Sequence, residues 1–249
     1  MLTPFKLALS FLTCLPVNPG DKLSVADFRR SFIFFPVIGL GIGLFANAVI
    51  DISGAVVQDT GIVAILAVAS FALATRGLHI DGLADTVDGF YGGRDREGRL
   101  EIMKDPHTGS FGIAAIVLLL VAQYAAVIVI LNERAYEIIP VAFAFSRLSM
   151  VLLSYRAEYP REKGTAKPFV GNITANEVIL STLIAVVAGG YLVGNAVAVF
   201  LILAIAVAVG VRIVSYQKIG GITGDVLGAG GEISLALLLM FAPFFSSWI

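Results

Sequence analysis

The stretch 78–88, LHIDGLADTVD, places Asp81, Asp85 and Asp88 at four- and three-residue spacing. On a helix of 3.6 residues per turn the three fall within roughly 60° of one another, so three like charges share one stripe. A divalent cation, a cationic substrate or bulk water must offset their repulsion. Carboxylate oxygens suit Mg2+, with water completing an octahedron, and Mg2+ held this way usually also binds substrate phosphates. One or two such ions would activate an attacking hydroxyl and neutralise a departing phosphate oxygen. The plainer alternative is a solvated acidic turn balanced by nearby arginines.

The chain continues GFYGGRDREGRLEIMKDPHTGSFG. Gly89, Gly92 and Gly93 read as sharp turns, and 94–103 as a short helix with Leu100, Ile102 and Met103 turned inward. Pro106 ends any helix there. Gly109, Ser110 and Gly112 open an apolar run whose first amides and positive dipole end suit a phosphate. A second segment, KIGGITGDVLGAGGE at 218–232, holds six glycines in fifteen residues. That is too many for an ordinary helix interior, so a loop is expected, with Gly220, Gly221 and Gly224 contributing amides to an anion nest. Asp225 would add a metal ligand or orient a hydroxyl; a flexible connector is the alternative.

Four further features invite a choice between chemistry and structure. Arg147 lies inside an apolar run, where a cation needs a partner or a wet cavity: a pyrophosphate, or a structural carboxylate. Arg76 and Lys104 flank the acids as phosphate clamps or as charge balance. The basic loop YPREKGTAKPF at 159–169 could meet a large anionic substrate or simply set topology. His79 and His107 lack a second histidine at zinc spacing, so His79 is a substrate contact or a hydrogen-bonded structural residue.

These residues sit in a chain built for a bilayer. Of 249 residues 58% are apolar and 14% charged, with mean hydropathy +0.92. A soluble domain carries about 25% charged residues, so an all-α polytopic membrane protein is expected. A span needs about 20 helical residues, and seven are expected, at 31–50, 61–75, 111–131, 138–154, 178–191, 196–214 and 233–248. With the N-terminus inside, only Arg134 and Arg147 of the 17 basic residues fall outside the cytoplasmic segments, which matches the positive-inside tendency. The acidic loop 76–110 is then cytoplasmic. No repeat or linker divides the chain, so 1–249 reads as one membrane domain. The net charge of −1 and the lack of a long basic run argue against nucleic acid. A lone Cys14 excludes an intrachain disulfide and reads as a small apolar filler. The first twenty residues do not read as a signal peptide.

The segments RGLHIDGLADTVDG at 76–89, IMKD and GSFG within 102–112, PVIGLGIG at 36–43 and GGITGDVLGA at 220–229 resemble the cobalamin synthase family, the adenosylcobinamide-GDP ribazoletransferases. The resemblance extends to the TPFKLALSFLTCLPV start and runs nearly the whole length. It implies a magnesium-dependent enzyme of the prokaryotic plasma (inner) membrane, multi-pass among membrane lipid, with its active face cytoplasmic. The implied reaction joins adenosylcobinamide-GDP to α-ribazole, or to α-ribazole 5′-phosphate, with release of GMP. In that setting Asp81, Asp85 and Asp88 would hold Mg2+. Asp105 and Asp225 would serve a second metal or position the nucleophile. Whether the chain acts as a homo-oligomer is left open.

Two other classes are weighed. A CDP-alcohol-type phosphotransferase shares the start of an acidic motif in DTVDG, yet its later Ala-Arg and paired aspartates are missing from GFYGGRDREGR. An ion-coupled transporter would put its acids near the bilayer midplane and often in repeated halves. As a prediction, a cysteine placed in the loop 76–110 of a Cys14→Ser background reacts with an impermeant thiol reagent only from the cytoplasmic side. Labelling of intact cells from outside would invert the topology.

Overall fold

Backbone that crosses a bilayer must close its own hydrogen bonds, which leaves the apolar stretches of this chain little choice but helix. The structure is a computed structural model that describes residues 2–164, 166–241 and 243–244, and no strand occurs among them. Eleven α-helices follow in order: α1 (Leu2–Leu12), α2 (Val25–Ser31), α3 (Phe35–Val56), α4 (Thr60–Ala74), α5 (Leu78–Gly92), α6 (Arg96–Ile102), α7 (Ser110–Glu133), α8 (Ile138–Ser154), α9 (Ala175–Val193), α10 (Val197–Ile219) and α11 (Gly224–Phe241).

Each expected span coincides with a helix, but length and hydropathy support fewer than seven crossings. Four stretches of the described residues qualify: Val25–Val56, Ser110–Glu133, Ala175–Ile219 and Gly224–Phe241. A fifth appears only if α4 and α5, bent by 85°, count as one span. The last expected span runs to Trp248, which lies outside the described residues.

The bend between α4 and α5 has a local cause. Arg76 (φ 54°) and Gly77 (φ 66°) are both left-handed. The Gly77 amide donates to Ala72 O at 2.8 Å and the Arg76 amide to Leu73 O at 3.1 Å, the paired bonds of a Schellman ending. The acidic segment of the inter-span connection is the helix on which its spacing is read, and it leaves α4 at a steep angle.

Helix α8 is the centre of the bundle. Every residue in it except Leu152 is buried, and it packs on α3, α9, α10 and α11. A helix apolar on all sides belongs in such a core. Its contact with α3 depends on missing side chains: a Cβ on Gly39 would stand 2.5 Å from Phe143 O, and one on Gly43 would strike the backbone of Pro140.

The same device corrects the expectation for 218–232. Only 220–223 is a connector; Gly224, Gly228, Gly230 and Gly231 lie inside α11. A Cβ on Gly228 would meet His79 Cα at 3.1 Å, one on Gly231 would meet Met150 Sδ at 3.1 Å, and one on Gly230 would strike Leu153. Glycine weakens a helix in water, but between membrane helices small residues allow backbones to approach closely. Gly89 and Gly93 were likewise expected to turn the chain. Gly93 does end α5 where the chain turns, whereas Gly89 lies inside the helix; both admit α6, since their Cβ atoms would stand 2.5 Å from Arg99 Cγ and 2.9 Å from Arg99 O respectively.

The prediction is a paired one. Gly43→Ala forces α3 away from unyielding α8 backbone and should cost about 1–3 kcal/mol, read as a lower thermal unfolding midpoint in detergent. Gly41→Ala, with nothing within 4 Å of its Cβ position, should leave that midpoint unchanged; an equal loss in both would refute the packing account.

Candidate functional site

Helices α5 and α11 run antiparallel and approach backbone to backbone at two glycines, beside an apolar cluster of Leu83, Ala229 and Ala236. A Cβ on Gly82 would stand 2.9 Å from Asp225 O, while Gly228 lies against the backbone of His79. The closeness brings acids from distant parts of the sequence together. Half-buried Asp85 has Asp81, Asp225 and Asp88 as its charged neighbours, with Arg161 the cation in reach. Asp81 is exposed and Asp225 partly buried.

Asp88 plays a separate part. The Gly109 amide donates to its Oδ2 at 2.7 Å and the Gly112 amide to its Oδ1 at 2.8 Å. The carboxylate thus caps the first turn of α7 from a neighbouring helix, where the dipole favours a negative charge. A Cβ on Gly109 would stand 2.6 Å from Asp88 Oδ1, and one on Gly112 would strike Oδ2. The amides expected to receive a phosphate at GSFG are therefore held by Asp88, and the glycines admit that side chain.

Two openings reach the cluster through single residues. Arg76 and Asp81 line a cavity of about 530 Å³ with Phe11, Thr13, Thr75 and Leu78. A polar groove of about 1040 Å³ runs between α6 and the 160–163 segment, lined by Lys104, Asp105, Arg161 and Lys163 among others. Arg161 joins groove to carboxylates, its Nη2 donating to Asp225 Oδ2 at 3.2 Å. The sequence offered the basic loop as a whole; no local signal singled out Arg161.

Other expected site residues stand apart. Asp105 is exposed in the groove wall and accepts hydrogen bonds from the His107 amide at 2.9 Å and the His107 ring at 2.8 Å, which hold its carboxyl below the usual range. It is not among the charges that crowd Asp85. Arg147 is wholly buried, donates from Nη1 to Ser146 Oγ at 3.0 Å and lies 5.7 Å from the Phe143 ring centroid. Its interior also holds Glu232, which accepts from Gln123 Nε2 at 3.1 Å. Arg147 shares this interior with a carboxylate, but among the described residues it forms no ion pair, and its Nε and Nη2 have no hydrogen-bond partner. Glu232, at the end of the supposed loop, was not singled out from sequence.

Gly220 is the left-handed cap of α10 (φ 75°), Gly221 abuts Glu158, and Gly224 starts α11 against Ala166. Arg96 Nε and Arg99 Nη1 donate to Ile219 O and Lys218 O at 3.0 and 3.1 Å, so the α6 arginines close the C-terminus of α10. His79 is buried with neither ring nitrogen hydrogen-bonded, contrary to a hydrogen-bonded structural role. Cys14, expected as an apolar filler, is exposed.

A hard divalent cation fits the donor set: carboxylates in excess, oxygen ligands throughout, and one guanidinium to offset them. Among the described residues no three acids, histidines or cysteines stand as a ready-made ligand group. Asp81, Asp85 and Asp225 would have to swing together around an ion. Asp88 could join only through lone pairs that the α7 amides leave free.

Comparison with known proteins places these features in a group. The family model described as Cobalamin-5-phosphate synthase matches residues 4–243. A protein of Chlorobaculum tepidum named adenosylcobinamide-GDP ribazoletransferase is 39% identical over 97% of this chain and 95% of its own. One of that name from Syntrophobacter fumaroxidans is 40% identical over 97% and 98%, and one from Klebsiella pneumoniae is 33% identical over 96% and 99%. No solved structure matches the chain.

The geometry separates two aspartates that sequence treats alike. Asp88→Ala orphans two amides and should lower stability by about 2 kcal/mol. Asp85→Asn removes a repelled charge and should raise the unfolding midpoint in metal-free buffer. The reverse order of stabilities would contradict both assignments.

Proposed function

The chain belongs to the cobalamin-5-phosphate synthase family, and on that premise we propose that it is a magnesium-dependent adenosylcobinamide-GDP ribazoletransferase. The acceptor is α-ribazole or its 5′-phosphate. Its ribose hydroxyl attacks the phosphorus on the cobinamide arm. A new P–O bond forms, the bond from that phosphorus to the bridging oxygen breaks, GMP departs with the bonding electron pair, and the hydroxyl proton passes to water.

The observation that carries this reading is the convergence of α5 and α11 carboxylates beside the Arg161 guanidinium. Asp81 lines the Arg76 cavity, and Arg161 lines the polar groove, so each opening reaches one member of this cluster. Asp81, Asp85, Asp225 and Asp88 are the residues that would hold Mg2+, with Asp88 already fixed by the α7 amides. When bound, the ion supplies charge neutralisation on the pyrophosphate and a lowered hydroxyl pKa. The chain's own contribution is positioning: Lys104 and Arg161 at the groove, Arg76 beside Asp81 at the cavity. The active end faces the cytoplasm of a prokaryotic inner membrane, in keeping with the basic residues gathered there.

Membranes carrying the chain, given adenosylcobinamide-GDP, α-ribazole and Mg2+, should release GMP, and EDTA should stop the release. A CDP-alcohol donor should yield no CMP. Chelator-resistant GMP release would sink the metal role, and CMP release would replace the reaction.

A further inference from the structure

Arg161 is the cation that joins the acidic cluster to the polar groove. Its Nη2 lies 3.2 Å from Asp225 Oδ2 and 3.5 Å from Met103 O, and its side chain is 12% exposed. Its buried Nε has no hydrogen-bond partner. A guanidinium carries five N–H donors in a planar fork suited to phosphate oxygens. Here the buried Nε is unspent, at the wall of a groove that presents Lys104 and Lys163 among the carboxylates Glu97, Glu101, Asp105 and Glu162. At about 1040 Å³ the groove has room for a nucleotide.

Resting on the ribazoletransferase reading, we infer that Arg161 has two alternating partners: Asp225 when the site holds no metal, and the phosphate of the departing GMP during turnover. A divalent cation drawn to Asp81, Asp85 and Asp225 carries the same sign as the guanidinium and competes with it for Asp225. Displaced, the Arg161 fork is left at the groove, where the leaving phosphate gains its negative charge. The residue thus keeps Asp225 compensated between turnovers and receives the leaving group within them. A mere structural bridge between the 160–163 segment and α11 would not bind nucleotide at all.

The test uses the purified full chain in detergent, with GMP and Mn2+ as probes. Arg161→Gln should weaken GMP binding, measured by calorimetry with Mn2+ present, at least about tenfold, the scale of a lost charge-assisted contact. In the absence of nucleotide the same variant should bind Mn2+ more tightly by electron paramagnetic resonance, because Asp225 has lost its competitor. Arg161→Lys should recover part of the GMP affinity. Unchanged GMP binding, or both affinities falling together as in a damaged fold, overturns the exchange. Failure of the wild-type chain to release GMP from adenosylcobinamide-GDP overturns the underlying reading instead.

Discussion

Helices α5 and α11 touch backbone to backbone at Gly82 and Gly228, and the proposed chemistry depends on that contact. With nothing larger than hydrogen between them, Asp81 and Asp85 on one helix and Asp225 on the other share one patch. The patch works against folding, since like charges are crowded while partly removed from water. Arg161 offsets part of that cost, and the α7 amides partner the Asp88 carboxylate. Crowding of this kind costs stability, and stability is commonly traded for function at such sites.

Behind the patch a second polar layer fixes the helices that carry it. Arg147 on α8, Gln123 on α7 and Glu232 on α11 are all buried, and Ser146 Oγ donates to Gly231 O at 2.8 Å. Glu232 is two helical turns from Asp225 on the same helix. Polar groups inside a membrane protein are costly unless they meet one another. Here the Gln123–Glu232 and Ser146–Gly231 hydrogen bonds tie α7 and α8 to α11, the helix that also carries Asp225.

Much of this was legible in the residues. The apolar run 138–154 is α8 to the residue, and the three-aspartate stripe does lie on one helix. Periodicity and hydropathy are local properties, and they located the helices, although seven crossings are more than length and hydropathy support. What escaped was decided between helices. Glycines in 224–231 read as a loop because in water they weaken helices; only a neighbour at van der Waals distance explains them. GSFG read as a phosphate seat because the carboxylate that fills it lies 21 residues earlier in the chain. Asp88 could not be separated from Asp81 and Asp85 by spacing, and nothing near Arg161 or Glu232 announces their partners 64 and 109 residues away. The family resemblance supplied the substrates, which no spacing encodes.

The central claim is that carboxylates from α5 and α11 form one cation site. A double-substitution cycle on Mn2+ affinity tests it most directly, with Asp85→Asn, Asp225→Asn and the pair measured in the nucleotide-free full chain. If the two acids share an ion, each single change abolishes tight binding and the pair is no worse than either alone. Retention of wild-type Mn2+ affinity by Asp225→Asn would contradict the account, because the site would then belong to α5 alone.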